Sequence, residues 1–195
     1  MRRKQGREIA CADMNRKRPS SENELKTIQK MVYGLACKSK YDEALGICNW
    51  LIEDKSTEVA GYRERAAVRE HMSDIEGAIH DLQCVIARFN EEPADFHALG
   101  LLLLESGAAT LAIDAFSRAI SLGEKADNNY YTNSSLLFRA EAHLKLANFT
   151  EALSDAERLP PRYQAYLPGS GMRSGEQISA EASAALARKL KRKPL

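Results

Sequence analysis

Residues 96–122 read FHALGLLLLESGAATLAIDAFSRAISL. Phe96, Leu99, Gly100 and Leu103 recur at the three-, four- and seven-residue spacing of a helix with one buried stripe. Leu111, Ala112, Ala115, Phe116, Ala119 and Ile120 do the same for a second helix, and Ser106-Gly107 breaks the pattern between them. Two helices folded back on each other in this way leave an apolar face that the pair cannot bury alone.

The pair recurs. With Ala112 as anchor, an alanine stands 34 residues earlier at Ala78, another 34 earlier at Ala44, and a fourth 40 later at Ala152. One residue after the anchors lie Leu45, Ile79, Ile113 and Leu153; four after, Cys48, Leu82, Phe116 and Ala156; seven after, Leu51, Val85, Ala119 and Leu159. Twelve before lie Val32, Ala66, Gly100 and Ala140; sixteen before, Ile28, Tyr62, Phe96 and Leu136. Small residues belong where two helices approach most closely, and large ones where a ridge fills a groove.

A 34-residue helix-turn-helix unit with small residues at these offsets resembles the tetratricopeptide repeat (TPR). Gly100, Ala112, Phe116 and Ala119 carry the resemblance, and Tyr41-Asp42-Glu43-Ala44 looks like the usual start of that motif's second helix. It covers about Asn23 to Leu159. Arg65, Arg69, Arg139 and His143 depart from it, standing where the family has apolar residues. The resemblance implies an all-α, right-handed α-solenoid of about four TPR-like helix pairs plus a C-terminal capping helix. The expected repeats run about 25–57, 59–92, 93–126 and 132–160. A loop over 161–173 and a capping helix over 174–190 complete a domain spanning 21–195.

Net charge is +1 over 195 residues, but the ends hide the middle. Residues 1–18 hold seven Lys and Arg against two acids, and 188–193 hold five against none. Residues 19–187 hold 16 basic and 25 acidic side chains, a net of −9, which favours basic partners and repels nucleic acid. No apolar run reaches the roughly 18 residues of a membrane helix, and no apolar segment follows the basic N-terminus as in a secretory signal. Cys11, Cys37, Cys48 and Cys84 form no CxxC pair and read as reduced thiols of a cytoplasmic protein, with Cys48 a buried small hydrophobe.

Along the chain, residues 1–20 read as a disordered basic arm. Ser21 or Asn23 caps the first helix, which runs to about Cys37; its partner runs from Tyr41 to about Glu53. Trp50 sits one position off the packing stripe, as at a seam between repeats. Glu58 to His71 and Ser73 to Arg88 form the second pair, with capping-box spacing at Ser73 and Glu76. Pro93 opens the third. Gly123 to Asn133 supplies the six extra residues of the 40-residue spacing; its Tyr130 and Tyr131 are candidate partner contacts, or else extend the next helix and pack on its neighbour. The fourth pair is about Ser134 to Leu146 and Asn148 to Arg158. Residues 162–173 show dense turn chemistry and no helix period. Ser174 and Gln177 then have capping-box spacing, and Ile178, Ala182, Ala185, Leu186 and Leu190 share a face of the last helix.

Nothing suggests catalysis or a cofactor. His71, His80, His97 and His143 are scattered over three repeats without metal-ligand spacing, and His80 and Asp81 lie about 100° apart on a helix. Gly169-Ser170-Gly171 lacks the strand and Lys-Ser/Thr of a phosphate loop.

In a curved stack of this kind the first helices line the concave face. The residues opposite the packing stripe are Lys26, Gln29 and Tyr33; Arg63, Ala67, Glu70 and His71; His97, Leu101, Leu104 and Glu105; and Leu137, Glu141 and Leu144. The expected groove is polar in the first two repeats and apolar in the last two, unless the C-terminal helix folds over its leucines. Some family members clamp a chaperone's C-terminal carboxylate with lysines and asparagines; Glu64, Ala94 and Ala98 occupy those positions here, which disfavours that role. The tail LPPRYQAYLPGSGMRSGEQI (159–178) loosely resembles small bacterial repeat proteins that act as immunity proteins against polymorphic toxins. The two readings are therefore a non-enzymatic scaffold that neutralises a basic toxin domain, and an adaptor that holds peptide segments in its groove. Either is compatible with a monomer or with a homodimer through Asn23 to Cys37.

Overall fold

The computed structural model describes residues 18–127, 129–167 and 171–191. Nine helices and one hairpin follow in order among them: α1 (Glu22–Cys37), α2 (Tyr41–Ile52), α3 (Glu58–His71), α4 (Ile75–Arg88), α5 (Pro93–Glu105), α6 (Ala109–Lys125), α7 (Asn129–Lys145), α8 (Phe149–Glu157), β1 (Gln164–Leu167), β2 (Gly171–Ser174) and α9 (Gly175–Lys191). The fold is an all-α helical repeat of four pairs with a closing helix. The chain divides between Asn90 and Glu91 into two compact units, the first holding α1–α4 and the second the rest. The basic arm and the Gly169-Ser170 turn lie almost wholly outside the described residues.

Local chemistry sets the helix starts. Ser21 caps α1 by accepting from the Glu24 backbone N–H at 3.3 Å. Pro93 opens α5, where its missing N–H costs nothing, behind the cap residue Glu92. Ser174 and Gln177 form the reciprocal box expected of them, at 3.0 and 3.2 Å. The capping box expected at Ser73 and Glu76 is not formed. Asp74 caps α4, its carboxylate accepting from the Gly77 N–H at 3.0 Å.

Ser73 is taken by a different constraint. Five residues before each anchor alanine the backbone turns left-handed: Ser39 (φ 56°), Ser73 (φ 59°), Gly107 (φ 84°) and Ala147 (φ 57°). The next N–H then reaches back to a carbonyl of the first helix. Lys40 bonds Leu35 at 2.9 Å, Asp74 bonds Arg69 at 2.8 Å, Ala108 bonds Leu103 at 2.8 Å, and Asn148 bonds His143 at 2.9 Å. This single turn folds every pair back on itself. Only Gly107 adopts it without a Cβ clash.

The anchors Ala44, Ala78, Ala112 and Ala152 are all 0 % exposed. A Cβ on Gly100 would stand 2.5 Å from the Phe116 ring, so the third pair approaches as closely as its glycine permits. Cys48 is buried as expected, and burial pushes its thiol up to about 12. Leu111, expected in the buried stripe of its helix, is exposed, as is Leu190 at the end of the face it shares with Ile178 and Ala182. The insertion is absorbed by lengthening α6 and α7 to 17 residues each. Residues 161–173, expected as a loop, hold an antiparallel hairpin that pairs Tyr166 with Met172 and Leu167 with Gly171. Four-residue strands are too short to show a period in the sequence.

The departing arginines have a common explanation. Arg65 and Arg139 each stand thirteen residues before an anchor, and each meets an aspartate three residues after it. Arg65 forks onto Asp81 at 2.9 and 2.7 Å, and Arg69 adds a third bond at 2.8 Å. Arg139 forks onto Asp155 at 2.7 and 2.6 Å and also donates to Ser117 at 2.8 Å. Asp81 and Asp155 are 0 % and 4 % exposed. At the same offsets the first and third pairs place Met31 with Ile47, and Leu99 with Ala115.

Ala147→Gly should stabilise the protein by about 0.5–1 kcal/mol, since relief of left-handed strain exceeds the added unfolded-state entropy; urea unfolding measures it. Asp155→Ala, which leaves Arg139 without its partner, should cost about 3–5 kcal/mol, and adding Arg139→Leu, which copies the third pair, should recover most of that loss. Thermal melts of the three variants test this.

Candidate partner-binding surfaces

In the first unit α1 and α3 pack side by side. Gln29 and Tyr33 lie four residues apart on one face of α1. Glu64 and His71 lie seven apart on the facing side of α3. Gln29 Nε2 donates to Glu64 Oε1 at 2.9 Å, and the Tyr33 and His71 rings meet edge-on with centroids 6.2 Å apart. Tyr33 is 62 % exposed. Glu70 and His71 are also exposed, while Arg63 is half-buried with its guanidinium 5.6 Å from the Phe89 ring centre. Burial pushes the Glu64 carboxyl above its usual range, and the Gln29 bond partly offsets that. Trp50 is covered by the Arg18 guanidinium, 4.7 Å over its ring, with Glu53 accepting from the same arginine at 3.1 Å.

In the second unit the expected apolar groove is closed. Leu104 and Leu137 are 3 % and 0 % exposed, and Glu141 is 8 % exposed. Leu101 and Leu144 are half-buried, and Glu105 alone of the expected residues here is freely exposed. Helical spacing predicts an open face of α7 at Leu137 and Glu141, opposite the packing stripe. In fact β1 and α9 pack on α7 as well. Arg173 of β2 seals it, donating to Glu141 at 2.8 Å and to both oxygens of Glu181 on α9 at 2.8 and 3.0 Å. This holds the Glu181 carboxyl below its usual range. The hairpin alternates accordingly, with Leu167 inward and Tyr166 and Met172 outward.

His97, expected in the groove, lies instead in an aromatic cluster. Its ring centre is 5.9 Å from Phe116, 5.5 Å from Tyr131 and 5.7 Å from Phe138. Its Nδ1 shares a hydrogen bond with the buried Ser135 hydroxyl at 2.9 Å. Burial pulls the imidazole down to about 4. Tyr131 is thus a packing residue as well as a surface one, whereas Tyr130 is 76 % exposed with its ring edge-on to Tyr131 at 4.9 Å.

Sequence reasoning missed Arg173, Asp81 and Asp155. An arginine with an acid sixteen residues later, twice in the same register, was the available signal for the aspartates. Arg173 had none, because its partners lie on α7 and α9. Among the described residues no three His, Cys, Asp or Glu side chains converge as a metal site, and no helix is long and apolar enough to cross a membrane. Asp81, beside His80 at 3.9 Å, is committed to Arg65 and Arg69.

No family model and no curated protein matches the chain. Solved structures do. A Podosopora anserina protein of nearly identical TPR-like repeats, described as a kinesin light chain, superposes with a TM-score of 0.65 at 14 % identity, over 89 % of this chain and 92 % of that one. MamA superposes with a TM-score of 0.57 at 16 % identity, over 95 % of this chain and 87 % of that one. The chain therefore has the TPR-like fold that its 34-residue spacing implied.

The buried His97 makes stability depend on pH. Its folded value, about 4, lies below the ordinary 6.5, so the unfolded chain takes up the proton first. The contribution is complete above about pH 6.5 and is lost as the pH falls towards 4. Between pH 7.5 and 5 the native chain should lose about 2 kcal/mol more stability than His97→Phe. Urea midpoints at the two pH values measure the difference.

Proposed function

We propose that this chain is a non-enzymatic protein-binding repeat whose partner is a basic protein domain, which it masks in the manner of an immunity protein against a toxin. The observation that carries this reading is where the second unit spends its apolar face. Leu137 and Glu141 lie on α7, against which the chain's own hairpin and last helix pack, and Leu104 is buried as well, so this unit offers a closed surface rather than an apolar trough. A closed surface on an acidic body of net −9 over residues 19–187 suits a folded basic partner. The tail that resembles those immunity proteins (159–178) includes both hairpin strands. The adaptor reading draws on the other unit, where Tyr33 and His71 are exposed to an extended segment.

Affinity capture of the tagged chain from its native host, with masses and stoichiometry of what is recovered, decides between them. The masking reading expects one dominant basic partner in a one-to-one complex, whose toxicity is suppressed on co-expression. Many substoichiometric partners, bound at about micromolar strength, would favour the adaptor. A dominant partner that is acidic, or harmless when expressed alone, would sink the masking reading.

A further inference from the structure

We propose that the inner face of the first two pairs, built from Gln29, Tyr33, Glu64 and His71, receives an extended basic segment of the partner, one lysine or arginine side chain of which pairs with Glu64. This deepens the binding reading above and rests on it.

Three other sheltered acids of this chain each meet a cation. Asp81 is met by two arginines, Asp155 by Arg139 with Arg158 at 4.0 Å, and Glu141 by Arg173. A carboxylate withdrawn from water needs a cation or several donors to remain charged cheaply. Glu64 is withdrawn too, yet its hydrogen-bond partner is the neutral amide of Gln29. Its carboxyl is raised by burial, and among the described residues only the Gln29 bond opposes that. Three cations of these helices are engaged elsewhere: Lys26 with Glu22 at 2.7 Å, Arg65 with Asp81 and Asn49, and Arg63 over the Phe89 ring.

The surroundings of Glu64 suit a long cationic side chain. Tyr33 stands one turn along α1 from the Gln29–Glu64 bond and is 62 % exposed, with the His71 ring edge-on to it. An exposed ring beside an uncompensated carboxylate offers a wall for an alkyl stem and an acceptor for its charged head. Gln29 fixes the Glu64 rotamer, so the acceptor is held in place before the partner arrives. The same register in the second unit offers no equivalent. There Ala98 and Phe138 occupy the positions that match Glu64.

The test is a titration of the full chain with a fluorescein-labelled dodecapeptide bearing lysine at every third position among alanines, read by anisotropy at low salt. Its counterpart with norleucine for lysine controls for apolar binding. Glu64→Gln keeps the shape and the Gln29 contact and should weaken the lysine peptide about tenfold. Tyr33→Ser should weaken it several-fold, and Asp114→Asn, an exposed change of equal charge in the second unit, less than twofold. The norleucine peptide should not bind. Equal losses from Glu64→Gln and Asp114→Asn would mean that only net charge is sensed, and the site would be wrong. So would undiminished binding in Glu64→Gln, or norleucine binding as tight as lysine. If Glu64→Gln recovers the captured partner as well as the native chain does, this site falls while the binding reading stands. If neither chain recovers a partner, the binding reading falls, and the peptide titration still decides the site.

Discussion

The close approach of two helices at each anchor alanine is the constraint from which the rest follows. Ala44, Ala78, Ala112 and Ala152 have no exposed surface, and nothing larger would let the paired helix reach its position. Once the contact is fixed, the turn before it has little freedom. Its N–H must return to the first helix, which requires a left-handed residue at one particular place. The chain puts Ser39, Ser73 and Ala147 there as well as Gly107, although each non-glycine residue sits in a disfavoured region. Packing decides the turn, and local preference yields to it.

Behind the anchors the chain uses two solutions to one packing problem. The first and third pairs fill the site thirteen before and three after the anchor with apolar side chains. The second and fourth fill it with a forked arginine and a buried aspartate. The forked pair brings no evident gain in stability over the apolar one, because desolvating two charges offsets most of their attraction. What it adds is direction. A bidentate fork satisfies both aspartate oxygens in one relative setting of the two helices, whereas Leu99 and Ala115 tolerate small slips.

The helices and their pairing were legible in the sequence because a repeated contact leaves the same residue types at the same spacing. Agreement over four units also places the ends of most helices within a few residues. The errors came from features made once. Ser73 has the sequence of a cap, but the turn claims it. Leu137 obeys the period of an exposed face, but a hairpin and a helix from the end of the chain pack on its helix. The hairpin itself has four residues per strand, too few for alternation to stand out, and Arg173 finds its partners 32 residues back and 8 residues on. His97 is a similar case: helical periodicity points it away from its own pair, while the lengthened α7 brings Tyr131, Ser135 and Phe138 over it.

The same distinction separates the two inner faces. In the second unit a non-repeating segment has taken the face over, and its one sheltered glutamate is neutralised by that segment's arginine. In the first unit no such segment covers Gln29, Tyr33, Glu64 and His71 among the described residues, and the sheltered glutamate there keeps only an amide. A repeat unit buries its packing stripe through its neighbours, but its inner face is filled only by something outside the repeat. Where the chain supplies that filler itself, it chose an arginine for the acid. The face it leaves open carries the same chemical vacancy, and a partner that fills it meets the same requirement of a cation for a sheltered carboxylate.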